Sequence, residues 1–112
     1  MTYRYPLPPS ANRYWRTYRG RPVVSDEARR YKQTLAMLAK VDQVQPLTGP
    51  VAVTVAVFRA RKTGDLDNRL KVLLDAMQGL FYINDAQICE LHATLHDDRA
   101  DPRIEVTVTS CR

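Results

Sequence analysis

The 112-residue sequence has no apolar run that approaches the roughly 20 residues needed to span a bilayer. Its first residues, MTYRYPLPPSANRYWR, lack the basic-then-apolar layout of a secretory signal peptide. It holds only two cysteines, Cys89 and Cys111, which are too few for a disulfide framework, so we expect both to stay reduced thiols. These absences predict a cytoplasmic protein with no membrane partner.

The few cysteines leave one zinc hypothesis open. Cys89, His92 and His96 are close in sequence, with Cys111 as a distant fourth ligand. The segment has the pattern of a strand, however, in which residues three apart face opposite sides of the sheet. We therefore disfavour zinc and assign the two histidines no role.

Positive charge is concentrated at one end of the chain. Residues 1–40 hold nine Lys or Arg against two acids, whereas the remainder holds eight against ten. A basic first third joined to an acidic second part indicates a protein that binds a polyanion next to a catalytic or cation site. The alternative is a merely solubilising surface.

Hydrophobic periodicity and turn residues divide the chain into short strands and two main helices. Ser25 is a natural N-cap for the first helix, and Gly79 is a natural stop for the second. No repeat, low-complexity segment or linker interrupts the pattern, so we predict one α+β domain over 1–112, a small mixed β-sheet with both helices packed on it. The predicted elements are a strand in 2–7, a hairpin in 15–25 with its turn at Gly20, a helix at 26–40, a central strand at 51–58, a helix at 65–78, a strand at 86–95 and a strand at 104–109.

Carboxylates gather in one stretch, GDLDNRLKVLLDAMQGLFYINDAQI, which runs from Gly64 to Ile88. One interpretation is ordinary helix chemistry, in which Asp65 caps the helix and Lys71 pairs with Asp67 and Asp75. Such exposed pairs each contribute only about 0.3–0.5 kcal/mol.

The other interpretation is a cation site. Leucines and Met77 form an apolar stripe on the helix, which leaves Asp67, Lys71 and Asp75 as a separate polar stripe. We expect the strand opened by Asp85 to pair near the start of this helix. Carboxylates that converge repel each other unless a cation lies among them, and Mg²⁺ prefers such hard oxygen ligands. A bound Mg²⁺ beside Lys71 suits phosphodiester hydrolysis.

Two segments resemble one family in order and spacing. DLDNRLKVLLDAM (Asp65 to Met77), followed by NDAQI (Asn84 to Ile88), is similar to the RusA-type Holliday junction resolvases, endonucleases of bacteria and their prophages. PLPPSANRYWR (Pro6 to Arg16) resembles the N-terminal loop of that family. One departure is Asn84, since family members often carry two acids where this chain has Asn84–Asp85.

The resemblance implies a homodimer that binds four-way junction DNA and makes paired symmetric nicks with Mg²⁺, and with Mn²⁺ as a possible substitute. The same resemblance implies that Asp65, Asp67 and Asp85 are catalytic residues that coordinate the metal. It also implies that Lys71 is a catalytic residue that contacts the phosphate. Asn68 and Asp75 match family positions that orient the site or the fold.

Arginines alternate with aromatic rings near the N-terminus, a pattern suited to gripping phosphates. The DNA contacts that we predict are Arg13, Arg16, Arg19, Arg21, Arg61 and Lys62. Two alternatives stay open: a non-catalytic branched-DNA binder, in which the acids only cap and pair a helix, and a small interaction protein without a DNA role.

Overall fold

The computed structural model describes residues 1–9, 15–61 and 66–111, with the backbone alone for 15–18, 21–24 and Asn68. No helix in these ranges is long and apolar enough to cross a membrane. The elements are β1 (Tyr3–Tyr5), β2 (Trp15–Tyr18), β3 (Arg21–Val24), α1 (Asp26–Val41), β4 (Val51–Arg59), α2 (Leu66–Met77), a 3₁₀ turn (Asp85–Gln87), β5 (Ile88–Asp97) and β6 (Arg103–Ser110).

The main sheet has four strands in the order β1-β6-β4-β5 and is mixed. β6 runs antiparallel to both β1 and β4, whereas β5 runs parallel to β4. A parallel neighbour requires a crossover connection, and here that connection contains α2. The predicted small α+β domain with a mixed sheet and two helices is confirmed.

A single hydrophobic core lies between the helices and one face of the sheet. Along β4, Val51, Val53, Val55 and Val57 are buried, whereas Thr54 on the other face is exposed. The apolar run of β4 correctly predicted a strand with neighbours on both sides, but among the described residues only the face of its valines is buried. Residues of the helices that complete this core are Ala28, Tyr31, Leu35, Ala39, Val72, Leu73, Ala76 and Met77.

The start of α1 follows from local side-chain chemistry. The Ser25 hydroxyl accepts a hydrogen bond from the backbone N–H of Ala28 at 3.2 Å, and Asp26 and Glu27 occupy the first turn, where negative charge is favourable. The predicted hairpin is also confirmed, since β2 and β3 pair antiparallel around a turn at Gly20, whose φ is +76°.

The expectation of two reduced thiols is wrong in this structure, because Cys89 and Cys111 form a disulfide. Val51 pairs with Ile88 on one side and with Ser110 on the other, so the start of β5 and the end of β6 lie on either side of β4. The N–H of Cys111 also donates to the carbonyl of Pro50 at 2.8 Å. Only the sheet register reveals this proximity, because the cysteines are 22 residues apart in sequence.

Leu35→Ala should lower the free energy of unfolding by about 2–5 kcal/mol, because truncating a leucine that is 0% exposed leaves a cavity in the core. Urea denaturation measures the change. Met37→Ala on the same helix is the matched control; Met37 is 66% exposed, and we expect a change within about 0.5 kcal/mol. Equal losses at both positions would contradict this packing.

Candidate functional site

The polar stripe of α2 faces solvent as the sequence predicts. Asp67 lies in the first turn, and Lys71 and Asp75 follow at four-residue intervals; all three are exposed. The opposite side of the helix carries Val72 and Met77, both fully buried. Burial of that side therefore fixes the direction of the three charged side chains.

The ion pairs of this stripe differ from those that simple helix chemistry predicts. Within the described ranges, Lys71 forms no ion pair within 4.0 Å with Asp67 or Asp75. Asp75 instead reaches across to Lys32 of α1 at 4.0 Å, so that it connects the two helices. The Lys71 ammonium thus projects from the exposed stripe and forms no ion pair with either of the two acids of its own helix.

The sequence suggested that Asp85 opens a strand. In the structure Asp85 lies instead in the 3₁₀ turn that precedes β5. Asn84 caps this turn by accepting from the N–H of Ala86 at 2.8 Å. The side-chain oxygen of Gln87 accepts from the N–H groups of Ile83 and Asn84, both at 2.8 Å. This reciprocal arrangement is a capping box, which displaces the start of β5 to Ile88.

Gln87 also joins the turn to the loop before β4. Its amide group donates to the carbonyls of Leu47 and Gly49, at 2.9 and 2.8 Å. Sequence reasoning gave Gln87 no role, although the N-x-x-Q spacing of Asn84 and Gln87 is the signature of a capping box. Four hydrogen bonds from one side chain therefore fix the backbone on which the exposed Asp85 is presented.

Asp85 lies beside the end of α2. Its backbone N–H donates to the Gln78 side chain at 3.1 Å. Burial, reinforced by the nearby carboxylates of Asp85 and Asp75, raises the pKa of Tyr82, whose hydroxyl donates to the carbonyl of Leu74 at 2.6 Å. Asp75 and Asp85 therefore both influence the Tyr82 hydroxyl.

Asp67 lies at the other end of that helix. The Arg69 guanidinium, in the same first turn, donates to the carbonyl of Pro8, which follows β1 at the end of the sheet where β4 finishes. From Asp67 to Gln78 the helix rises about 16 Å. The expectation that the strand after Asp85 begins its pairing near the start of α2 is thus wrong for a single chain, because β5 begins level with the start of β4.

The remaining candidates are distributed between described and undescribed parts of the chain. Asp65, Lys62 and Arg13 lie outside the described residues. Within the described residues, no three His, Cys, Asp or Glu side chains are grouped so that they could hold a metal ion. Arg16 is in β2, Arg21 is in β3, and Asn68 is in the first turn of α2. Arg19, at the hairpin turn, and Arg61, after β4, have exposed side chains.

Among the described residues, neither histidine lies in a group of three potential metal ligands. His96 stacks on Phe58, with ring centroids 4.8 Å apart, and Arg103 lies over the same Phe58 ring at 3.9 Å. His92 is exposed on the same face of β5 as His96, since their β4 partners are Thr54 and Phe58. With the Cys89 sulfur in a disulfide, this strand offers no thiolate for zinc.

Comparison with known proteins gives one consistent result. The family profile of endodeoxyribonuclease RusA matches residues 6–109. The crossover junction endodeoxyribonuclease RusA of Escherichia coli (strain K12) is 34% identical over 107 residues, covering 93% of this chain and 89% of the relative. With the same coverage, the proteins of that name from Enterobacteria phage 82 and Shigella sonnei (strain Ss046) are 33% and 32% identical.

Gln87→Leu should lower the free energy of unfolding by about 1–3 kcal/mol, because two N–H groups lose their acceptor and two carbonyls lose a donor. Hydrogen exchange should also become faster at the amides of Ile83 and Asn84. Gln45→Leu, at an exposed position in the preceding loop, is the control. Unchanged exchange at both amides would mean that Gln87 does not hold the turn.

Proposed function

Because the chain belongs to the endodeoxyribonuclease RusA family, we propose that it is a metal-dependent endonuclease that resolves four-way DNA junctions. The whole of 1–112 acts as one endonuclease domain in the cytoplasm, where recombination intermediates are its substrate. A similar phage protein supports an origin in a phage or prophage. A homodimer makes the paired symmetric nicks, since a two-fold symmetric protein presents two equal sites to a two-fold symmetric junction.

Asp65, Asp67 and Asp85 are the proposed metal ligands and catalytic acids. The chemistry of the described pair fits a hard cation, because the Asp67 and Asp85 side chains are both exposed carboxylates. Mg²⁺ is the ion that we propose, with Mn²⁺ as a substitute. When bound, Mg²⁺ would polarise a phosphoryl oxygen and hold a water for in-line attack.

Lys71 is the proposed catalytic cation at the scissile phosphate. It lies one helical turn after Asp67, and residues spaced in this way have Cβ atoms about 5–6 Å apart. Its ammonium offsets the negative charge that builds on the phosphate in the transition state. The observation that carries this assignment is the exposed Lys71 side chain, which pairs with neither Asp67 nor Asp75.

Other residues position the site and the DNA. Asp75 supports the fold through Lys32 of α1, and Asn68 orients the first turn of α2. The residues that we propose for contacts with the DNA phosphates are Arg13, Arg16, Arg19, Arg21, Arg61 and Lys62. Such contacts release counterions, so junction binding should weaken as salt rises.

Asp67→Asn should reduce junction cleavage by at least about a hundredfold while junction binding persists, because a metal ligand is lost and repulsion toward phosphate falls. The measurement is cleavage of a labelled four-way junction with and without Mg²⁺, beside linear duplex of the same sequence. Glu27→Gln, which removes the same charge from α1, is the control. A wild-type protein that binds junctions and never cuts them would instead be a non-catalytic binder.

Lys71→Gln should lower the rate of the cutting step by about 10²–10³. Single-turnover cleavage under saturating enzyme separates this effect from weaker DNA binding. Lys40→Gln removes an exposed lysine in the last turn of α1 and should cut at the wild-type rate. Equal losses in the two variants would show that the positive charge acts only through general attraction of DNA.

A further inference from the structure

One edge of the main sheet is long and unprotected. β5 has ten residues, pairs with β4 on one side, and meets no other strand within the described residues. Its sequence, ICELHATLHD, contains no proline, lysine or arginine. The opposite edge is β1, which has three residues and is followed by Pro6, Pro8 and Pro9. Short strands and prolines are the usual protection of a sheet edge, so of the two edges of the main sheet, as far as the chain is described, β5 is the one open to pairing.

On one face, the side chains of β5 are apolar and partly exposed. Leu91 lies on the helix side of the sheet, opposite Val53, and is 43% exposed. Ala93 and Leu95, on that same side, are half-buried. The edge therefore offers unpaired backbone groups together with an apolar strip.

We propose that β5 is the interface between two copies of this chain, which pair antiparallel about a two-fold axis through Ala93. This proposal rests on the homodimer of the proposed function and specifies its contact surface. The four-stranded sheets of the two copies then join into one eight-stranded sheet, in the order β1-β6-β4-β5-β5-β4-β6-β1.

The sequence of β5 is complementary to itself in this register. Leu91 of each copy lies opposite the partner's Leu95, and Ala93 lies opposite itself. On the other face, Glu90 lies opposite the partner's His96, where an imidazole can donate to the carboxylate. A two-fold axis perpendicular to the sheet leaves every side chain on the same face of the joined sheet, so the two strands can shift only by an even number of residues. The next registers therefore centre on His92 or Thr94. The Thr94 register places Leu91 against Asp97, and the His92 register leaves Leu95 against Cys89.

The same register changes which carboxylates are near one another. In this register the partner's β5 begins, at Ile88, opposite residue 98, one residue past Asp97 at the end of β5, and Asp85 lies three residues before that start. Asp97 pairs with Arg59, so this is the end of the sheet where α2 begins and Asp67 lies. The partner's Asp85 is therefore carried toward Asp67, from which Asp85 of the same chain is separated by the length of α2.

A single introduced cysteine tests the axis directly. Directly opposite residues of antiparallel strands have Cα atoms about 4.5–5.5 Å apart, within reach of a disulfide. In a chain with Cys89→Ser and Cys111→Ser, Ala93→Cys should form a covalent dimer on mild oxidation, in most of the protein. Leu95→Cys is the matched control, since in this register its two copies lie about 13 Å apart.

A second measurement keeps the otherwise unaltered chain. Leu91→Lys buries an ammonium against the partner's leucine, so sedimentation equilibrium should show a dimer dissociation constant raised at least about tenfold. Met37→Lys, at an exposed position on α1, should leave it unchanged. A dimer that tolerates Leu91→Lys, or that crosslinks through Leu95→Cys and not Ala93→Cys, would overturn this interface while the resolvase proposal stands. A wild-type chain that is monomeric and still makes paired nicks would overturn the dimer itself.

Discussion

The parallel pairing of β4 with β5 is the constraint on which the arrangement of this protein depends. Two adjacent strands can run in the same direction only if the chain crosses back over the sheet between them. Here α2 makes that return, so its first turn lies where β4 ends and its last turn lies where β5 begins. The acids of one short stretch of sequence are thereby spread along the sheet.

Local chemistry predicted the elements well, because the signals that define them are local. The cap at Ser25, the hairpin turn at Gly20 and the apolar run of β4 each correspond to an observed feature. The direction of β5 depends on long-range pairing, for which its own residues carry no signal. The placement of Asp85 and the pairing of Cys89 with Cys111 were missed for this reason, since both follow from the register around Val51.

The polar residues of the proposed site are held by different means. Asp67 and Lys71 are aimed outward because the opposite side of α2 is buried in the core. Asp85 is presented by a turn that Gln87 fixes through four hydrogen bonds, a role that an N-x-x-Q pattern could have suggested. Asp75 pairs with Lys32 of α1 at 4.0 Å, which fits its proposed role in supporting the fold.

In the proposed site Asp67 and Asp85 hold the same ion, although one chain places them at opposite ends of α2. Titration of Mn²⁺ followed by electron paramagnetic resonance tests this most directly, because it reads metal binding without DNA or cleavage. Loss of the bound-Mn²⁺ signal in Asp67→Asn and equally in Asp85→Asn, with Asp42→Asn unaffected, is the predicted result. Wild-type Mn²⁺ binding in Asp85→Asn would contradict a shared site.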